Sequence, residues 1–151
     1  MANGVFNIAK GRVAHYASLP ATNDGLIVVL LKASGLQADG TLADHDTLAS
    51  VLASNSEADF TNYSRKTLSG VSVNVDDGND RVDADADDVT YSAAGGASNN
   101  SIGKLLVCYD PNLGSGTDAD IIPLTYHDAV FTTDGTDQTV QFAASGFYRA
   151  S

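Results

Sequence analysis

The chain has 151 residues, of which 43% are hydrophobic, enough for one domain with a buried core. Its formal net charge of −11 argues against nucleic acid and anionic membranes as partners, because both are bound through many Lys and Arg side chains. No apolar run approaches the roughly eighteen residues that span a bilayer. An acidic surface instead suits docking onto a basic patch of another protein.

The acidic residues are nearly all aspartate, since Glu57 is the sole glutamate among 19 acidic residues. Asp favours turns and caps, because its short side chain hydrogen-bonds nearby backbone, whereas Glu favours helix interiors. The 14 glycines also favour turns. The composition therefore predicts many turns, short strands and little helix.

The N-terminal segment, residues 1–20, allows two interpretations. Residues 6–19 carry a loose apolar stripe at helical spacing, with Asn7 as a candidate N-cap and Pro20 as the end. Gly11 weakens such a helix by about 1 kcal/mol relative to Ala. An extended arm laid over a neighbouring protein is the alternative.

The first long apolar run, residues 25–33, predicts a strand buried on both faces, because its hydrophobic residues are continuous rather than alternating. The segment 41–44 resembles a capping box. We expect Asp44 or Asp46 to cap a short helix that ends near Ala53 and has apolar residues on one face.

The middle of the chain reads as strands separated by polar turns. Residues 63–68 and 71–75 are typical of strands, the second with alternating valines. The acidic tract, residues 76–88, predicts a solvated loop. A short strand returns at 88–92, and residues 95–100 predict another loop.

The last third of the chain predicts further strands. Residues 103–109 indicate a buried strand, and residues 121–133 indicate another that Pro123 interrupts, as at an edge or a bend. Residues 132–137 are typical of a hairpin turn, with Asp-Gly at its centre and a returning strand at 139–142. The large aromatic residues close to the end of the sequence predict a docked terminus.

These elements predict a mainly β (α+β) fold of about seven short strands. The expected architecture is an antiparallel sandwich or partly open barrel with one or two short helices. No internal repeat is visible, and the acidic tract belongs within one unit rather than between two. We therefore expect a single domain over 1–151, with 1–20 as a helix or arm.

The acidic tract is the strongest candidate for a metal site. Asp83, Asp85 and Asp87 alternate, so on a strand they would share one face, about 7 Å apart. Calcium takes six to eight oxygen ligands, and Asp supplies them. An EF-hand loop counted from Asp83 fails, because Asp88 and Ala94 stand where Gly and Glu are needed. The alternatives are a solvated tract, a calcium site or a catalytic carboxylate pair.

Reactive motifs are otherwise missing from the sequence. His15, His45 and His127 lack the spacings of metal sites, and Cys108 lies in an apolar run typical of a buried strand. The sequence contains no nucleophile elbow and no phosphate-binding glycine loop. We therefore predict no catalytic residue and no cofactor, and interpret the chain as a non-enzymatic protein.

Four segments carry a resemblance to a known class of protein. They are MANGVFNIAKGRV at the start, LIVVLLKASGL at 26–36, GKLLVCYD at 103–110 and TTDGTDQTVQFAASGFYRAS at 132–151. With these segments the chain resembles small virion structural proteins of tailed bacteriophages, of the minor capsid or head decoration type. The resemblance extends over the whole chain and matches the acidic tract least well.

The resemblance implies symmetric copies on the outer surface of an icosahedral capsid, assembled in the host cytoplasm. The implied partners are the major capsid protein and further copies of this chain. On that basis Phe6, Lys10, Arg12 and Tyr16 are candidate capsid contacts, with the basic pair acting as a tether. A tail or head–tail junction component and a receptor- or glycan-binding module are the alternative functions.

Overall fold

The protein is mainly β, with 37% of residues in strands and 12% in helices. A computed structural model describes residues 2–151. Across these residues the strands form antiparallel sheets that do not close into a barrel, and there are three short α-helices. The predicted mainly β, antiparallel fold is confirmed. The structure has three α-helices, where one or two were expected.

The described chain has ten strands, and all of its helical elements precede β3. The strands are β1 (Gly4–Val5), β2 (Gly25–Lys32), β3 (Lys66–Thr67), β4 (Ser72–Asp76), β5 (Arg81–Asp85), β6 (Val89–Tyr91), β7 (Ser101–Asp110), β8 (Ile122–Thr132), β9 (Gln138–Val140) and β10 (Tyr148–Ala150). The helices are a 3-10 turn (Asn7–Ala9), α1 (Val13–Ser18), α2 (Asp39–Leu42) and α3 (Leu48–Leu52).

Three sheets result from the pairing of these strands. The central sheet has the order β1-β8-β7-β2-β3, the hairpin sheet has the order β10-β5-β4, and β6 pairs with β9 alone. Strand β8 continues through Pro123, and its register against β7 shifts between Val107 and Cys108, where Pro123 pairs. Such an irregularity accommodates a residue that has no N–H to donate.

The central sheet is buried on both faces, as the continuous apolar runs predict. In β2, alternate residues enter two separate hydrophobic clusters, with Leu26, Val28 and Leu30 in one and Ile27, Val29 and Leu31 in the other. Successive side chains of a strand point to opposite faces, so six consecutive residues fill two cores at once.

The hairpin sheet, the β6–β9 pair and α1 cover the face of the central sheet that carries the first cluster. Ala84 of β5, Tyr91 of β6 and Val13 of α1 are all buried in this cluster. The second face is covered by α2 and α3, through Leu42, Leu48 and Val51. The central sheet is therefore the middle layer of three.

Helix α3 confirms the predicted short helix but not its cap. The Thr47 hydroxyl accepts from the Ser50 backbone N–H at 3.2 Å, and the Ser50 hydroxyl accepts from the Thr47 N–H at 3.3 Å. This reciprocal pair is the capping box, so Asp44 and Asp46 were wrong as caps. The segment predicted as the box overlaps the end of α2 instead.

The acidic tract is partly a strand, which corrects the prediction of a loop. Strand β5 occupies its middle and pairs with β4 on one side and β10 on the other. The register places Val73, Ala84 and Tyr148 in one row, with Asn74, Asp83 and Arg149 in the next. Adjacent rows face opposite sides, so the aspartates lie on the face turned away from the core.

The turn at 132–137 does not form the predicted hairpin. Strand β9 pairs with β6, in the register Val89 to Val140, rather than with β8. The backbone of Ala94 holds the turn by donating to the Thr136 carbonyl and accepting from the Gly135 N–H. The positive φ of Gly135, 96°, agrees with the expected turn chemistry, but the chain leaves the turn toward a different partner.

Both ends of the described chain are docked on the body. Residues 6–19 form neither one helix nor an extended arm, because Gly11 adopts a φ of +74° and separates the 3-10 turn from α1. At the other end Phe147 is buried and β10 pairs with β5, which confirms the predicted docked terminus.

Candidate functional site

Two exposed cations mark the N-terminal segment. Lys10 and Arg12 flank the bend at Gly11, and both side chains are exposed, as is His15 one turn into α1. We call Lys10 and Arg12 the N-terminal cationic face. Tight 3-10 and α turns on either side of the glycine place these residues outward while Ala9 and Val13 point into the core.

This face is unusual because the other cations of the chain have partners. Five of them form ion pairs with carboxylates, namely Lys32, Arg65, Arg81, Lys104 and Arg149. Lys66 lies 5.5 Å from the centroid of the Tyr91 ring. Within residues 2–151, Lys10 and Arg12 are the cations that have neither kind of partner.

The segment that carries this face is fixed rather than loose. Phe6 is fully buried, and its ring meets the Tyr126 ring edge-on, with the centroids 5.5 Å apart. The backbone N–H of Asn7 donates to the Ala43 carbonyl at 2.8 Å, and its side-chain amide donates to the Asp44 carboxylate at 2.6 Å. Asn7 therefore anchors the turn and does not cap a helix.

The four candidate capsid contacts are consequently split. Phe6 is part of the core beneath the face, whereas Lys10 and Arg12 are exposed. Tyr16 is half-buried, with its ring 5.3 Å from that of Tyr109. Three of the four therefore present atoms to solvent on one segment, and Phe6 holds that segment in place.

Sequence analysis missed a buried lysine that fastens the same segment. Lys104 of β7 is fully buried, and its ammonium group lies 2.9 Å from Asp39 and 2.6 Å from Asp128. It also donates to the Ala2 carbonyl at 2.7 Å, while the Ala2 N–H donates to Asp39. Its position inside an apolar strand was the available signal, because a buried lysine needs compensating carboxylates.

The three aspartates proposed for calcium do not converge. Asp83 accepts from both Nε and a terminal nitrogen of Arg149, at 2.6 and 3.0 Å, and the bound Arg149 lowers the pKa of Asp83. Asp85 accepts from the Ala86 N–H, and Asp87 lies beyond β5 and accepts from the Ser69 hydroxyl. Among residues 2–151 no three His, Cys, Asp or Glu side chains are placed to hold a metal ion.

A cleft of about 420 Å³ opens between β8, β10 and the segment that joins β9 to β10. His127 lines it beside Phe142, with the two ring centroids 6.1 Å apart, and its Nε2 hydrogen-bonds the Thr125 hydroxyl at 2.8 Å. Burial, together with the nearby Lys104 charge, lowers the pKa of His127 to about 4. The imidazole is therefore neutral near neutral pH, able to hydrogen-bond but not to attract an anion.

The remaining candidate groups are tied into the fold. Cys108 is fully buried in β7, and burial raises the pKa of its thiol, so the thiolate is disfavoured. The Arg65 guanidinium bridges Glu57 and Asp118, each through two hydrogen bonds. His45 hydrogen-bonds the Gln37 side chain at 2.7 Å. The contacts of Arg65 and His45 therefore link loops to one another, and Cys108 is part of the core.

Comparisons with protein families, curated proteins and solved structures find no match for this chain. No helix within residues 2–151 has the length and apolar character needed to cross a membrane. The functional proposal therefore rests on the residues and their geometry, above all on the N-terminal cationic face.

Proposed function

We propose that this chain is a non-enzymatic virion structural protein that decorates the outer surface of a tailed-phage capsid. In this proposal the N-terminal cationic face binds an acidic surface of the major capsid protein, and copies of the chain occupy symmetry-related positions on the shell. The sequence resemblance supports the class of protein, and the geometry of the face supports the mode of contact.

The observation that carries the proposal is the pair of exposed, unpartnered cations in a chain of net charge −11. A charge without an intramolecular partner is free to pair across an interface, where complementary potentials set orientation and speed association. Because of this negative net charge, the rest of the molecule repels an acidic partner. The face is therefore the part of the molecule best suited to an acidic partner.

The rigidity of the segment also supports this contact. Phe6 and Val13 are buried on either side of the cations, and Lys104 fastens the chain just before them. A preformed contact loses less conformational entropy on binding than a mobile tether does. We therefore favour a fixed docking surface over an arm that folds on the shell.

The test is co-sedimentation with purified capsid shells that lack this protein. We expect the Lys10→Glu/Arg12→Glu variant to bind at least about tenfold more weakly, since close interfacial charge pairs couple by about 1.5 kcal/mol or more. Wild-type binding should weaken as salt increases. Deleting residues 2–19 is not a suitable test, because it also removes the buried Phe6 and Val13.

The matched control is Lys32→Glu/Lys66→Glu, which changes the net charge by the same amount on β2 and β3, at the opposite side of the central sheet from β1. It should retain binding to within about threefold if location matters more than total charge. Equal binding by both double variants and the wild type would contradict the proposal.

Quantitative mass spectrometry of the particles should find hundreds of copies rather than a ring of six or twelve.

A further inference from the structure

The outer edge of β4 has no partner in the fold. Strand β4 pairs with β5 in an unbroken register from Ser72 to Asp76, and no strand lies on its other side. In the part of the chain that the structure describes, no hydrogen bond from outside the sheet reaches the backbone of residues 72–75. Alternate N–H and C=O groups of this edge therefore point to solvent.

This edge also lacks the usual protection against strand addition. It contains no proline, no lysine and no bulge, the devices that commonly block an exposed edge. The outer strands of the central sheet, β1 and β3, have only two residues each, and β10 has three. With five residues, β4 is the longest free edge among the described strands.

An apolar row lies beside the edge. The register aligns Val75, Val82 and Ala150 across the hairpin sheet, on the same face as the core residues Val73 and Ala84. The body does not cover this end of the face, and Val75 is 64% exposed. A shallow depression of about 480 Å³ lies over the row, so an apolar side chain placed opposite Val75 by an added strand would contact apolar surface.

Acidic side chains surround the same end of the sheet. Asp77 and Asp80 line the depression, and neither forms an ion pair in the described chain. The one cation there, Arg81, is paired to Asp76 and Asp83. The free charge at this edge is negative. A second copy of this chain has the same net charge of −11 and is repelled, so a basic partner suits this edge better.

We propose that β4 accepts an extended, basic segment of a partner protein as a fourth strand of the hairpin sheet. The backbone edge supplies the hydrogen bonds, an apolar side chain opposite Val75 extends the apolar row, and the aspartates select Lys or Arg at the flanking positions. The partner that fits this edge is basic, whereas the partner proposed for the N-terminal cationic face is acidic. The inference does not depend on the proposed function.

The experiment uses the full chain and two blocked ten-residue peptides, one alternating Val with Lys and the other alternating Val with Glu. We expect the Lys peptide to bind at concentrations below about 1 mM and the Glu peptide not to bind. On binding, amide hydrogen exchange followed by NMR should slow at alternate residues of 72–76. Equal binding of both peptides, no binding of the Lys peptide, or unchanged exchange along β4 would overturn the proposal.

Reversing the charge of two aspartates tests whether they cause the preference for the Lys peptide. Asp77→Lys/Asp80→Lys should weaken binding of the Lys peptide at least about tenfold and allow the Glu peptide to bind. The matched control, Asp46→Lys/Asp120→Lys, makes the same change in net charge at exposed positions elsewhere and should leave the preference intact. An equal loss in both variants would show a nonspecific charge effect and overturn the assignment to this edge. NMR spectra of the free proteins establish that each variant is folded.

Discussion

The central sheet and the hairpin sheet use β-structure in opposite ways. The central sheet buries both faces in hydrophobic clusters, and its outermost strands are short. The hairpin sheet buries one face, turns Asp83 and Arg149 toward the other side, and leaves the outer edge of β4 unpaired. Because stability comes mainly from buried apolar surface, the central sheet supports the fold, and the hairpin sheet can present groups to partners.

The largest difference between the two sheets should appear on truncation of an aliphatic side chain. Leu30→Ala in β2 removes a fully buried side chain, and we expect a loss of about 2–5 kcal/mol in the free energy of unfolding. Val75→Ala in β4 removes an exposed one, so the change should stay within about 0.5 kcal/mol. Urea unfolding measures both, and similar losses would contradict the division of roles.

The contrast between the sheets also explains what sequence reasoning could recover. Strands β2 and β7 were predictable, because continuous apolar runs report local burial on two faces. In the hairpin sheet, alternating valines predicted β4, but β5 was not predicted, because it also pairs with a strand far along the chain. The ion pair of Asp83 with Arg149 joins residues 66 positions apart, and it offsets the repulsion that made the tract resemble a loop.

The same limit applies to the candidate site. The charges of Lys10 and Arg12 predicted their exposure, and Gly11 was recognised as a weak point of the helix. The burial of Phe6 was not predictable, because its surroundings come from Leu42, Ala43 and Tyr126 on other elements. The sequence correctly predicted a turn at Gly135, but a turn motif does not specify which strand the chain pairs with next.

A second, smaller effect should follow from the lysine that links the central sheet to the N-terminal segment. Lys104→Met keeps an apolar stem but leaves Asp39 and Asp128 without their cation. Breaking a fully buried pair costs about 3–5 kcal/mol, and partial exposure of these carboxylates should reduce the loss to about 2–3 kcal/mol. Urea unfolding measures the stability, and faster amide exchange at residues 2–5 would report the loosened segment.

Two further carboxylate changes separate the charge from the packing. In Lys104→Met/Asp39→Asn/Asp128→Asn no unpaired carboxylate remains, so we expect a substantial part of the lost stability to return. A triple variant that is less stable than Lys104→Met would assign the effect to packing or backbone contacts instead. In that case Lys104 would not be the electrostatic link between the central sheet and the segment.

The smallest effect is a pH dependence at the boundary of the two sheets, where His127 of β8 lines the cleft. Its folded pKa of about 4 lies below the ordinary value of 6.5, so between these values the unfolded chain binds a proton that the native protein does not. Stability contributed by neutral His127 is present at neutral pH and is lost as the pH falls through this window. From about pH 7 to pH 5 the loss should be about 1–2 kcal/mol.

The variant His127→Gln tests this assignment, because glutamine keeps a hydrogen-bonding group near Thr125 but does not titrate. Urea unfolding at both pH values should show a smaller loss of stability on acidification than in the wild type. Gln141→Ala, which changes a non-titrating residue of the same cleft, should keep the wild-type pH dependence. Identical slopes in His127→Gln and the wild type would mean that the proton is taken up elsewhere. The cleft would then be more open to water than the burial of His127 implies, and the hairpin sheet would pack less tightly on β8 than on the rest of the core.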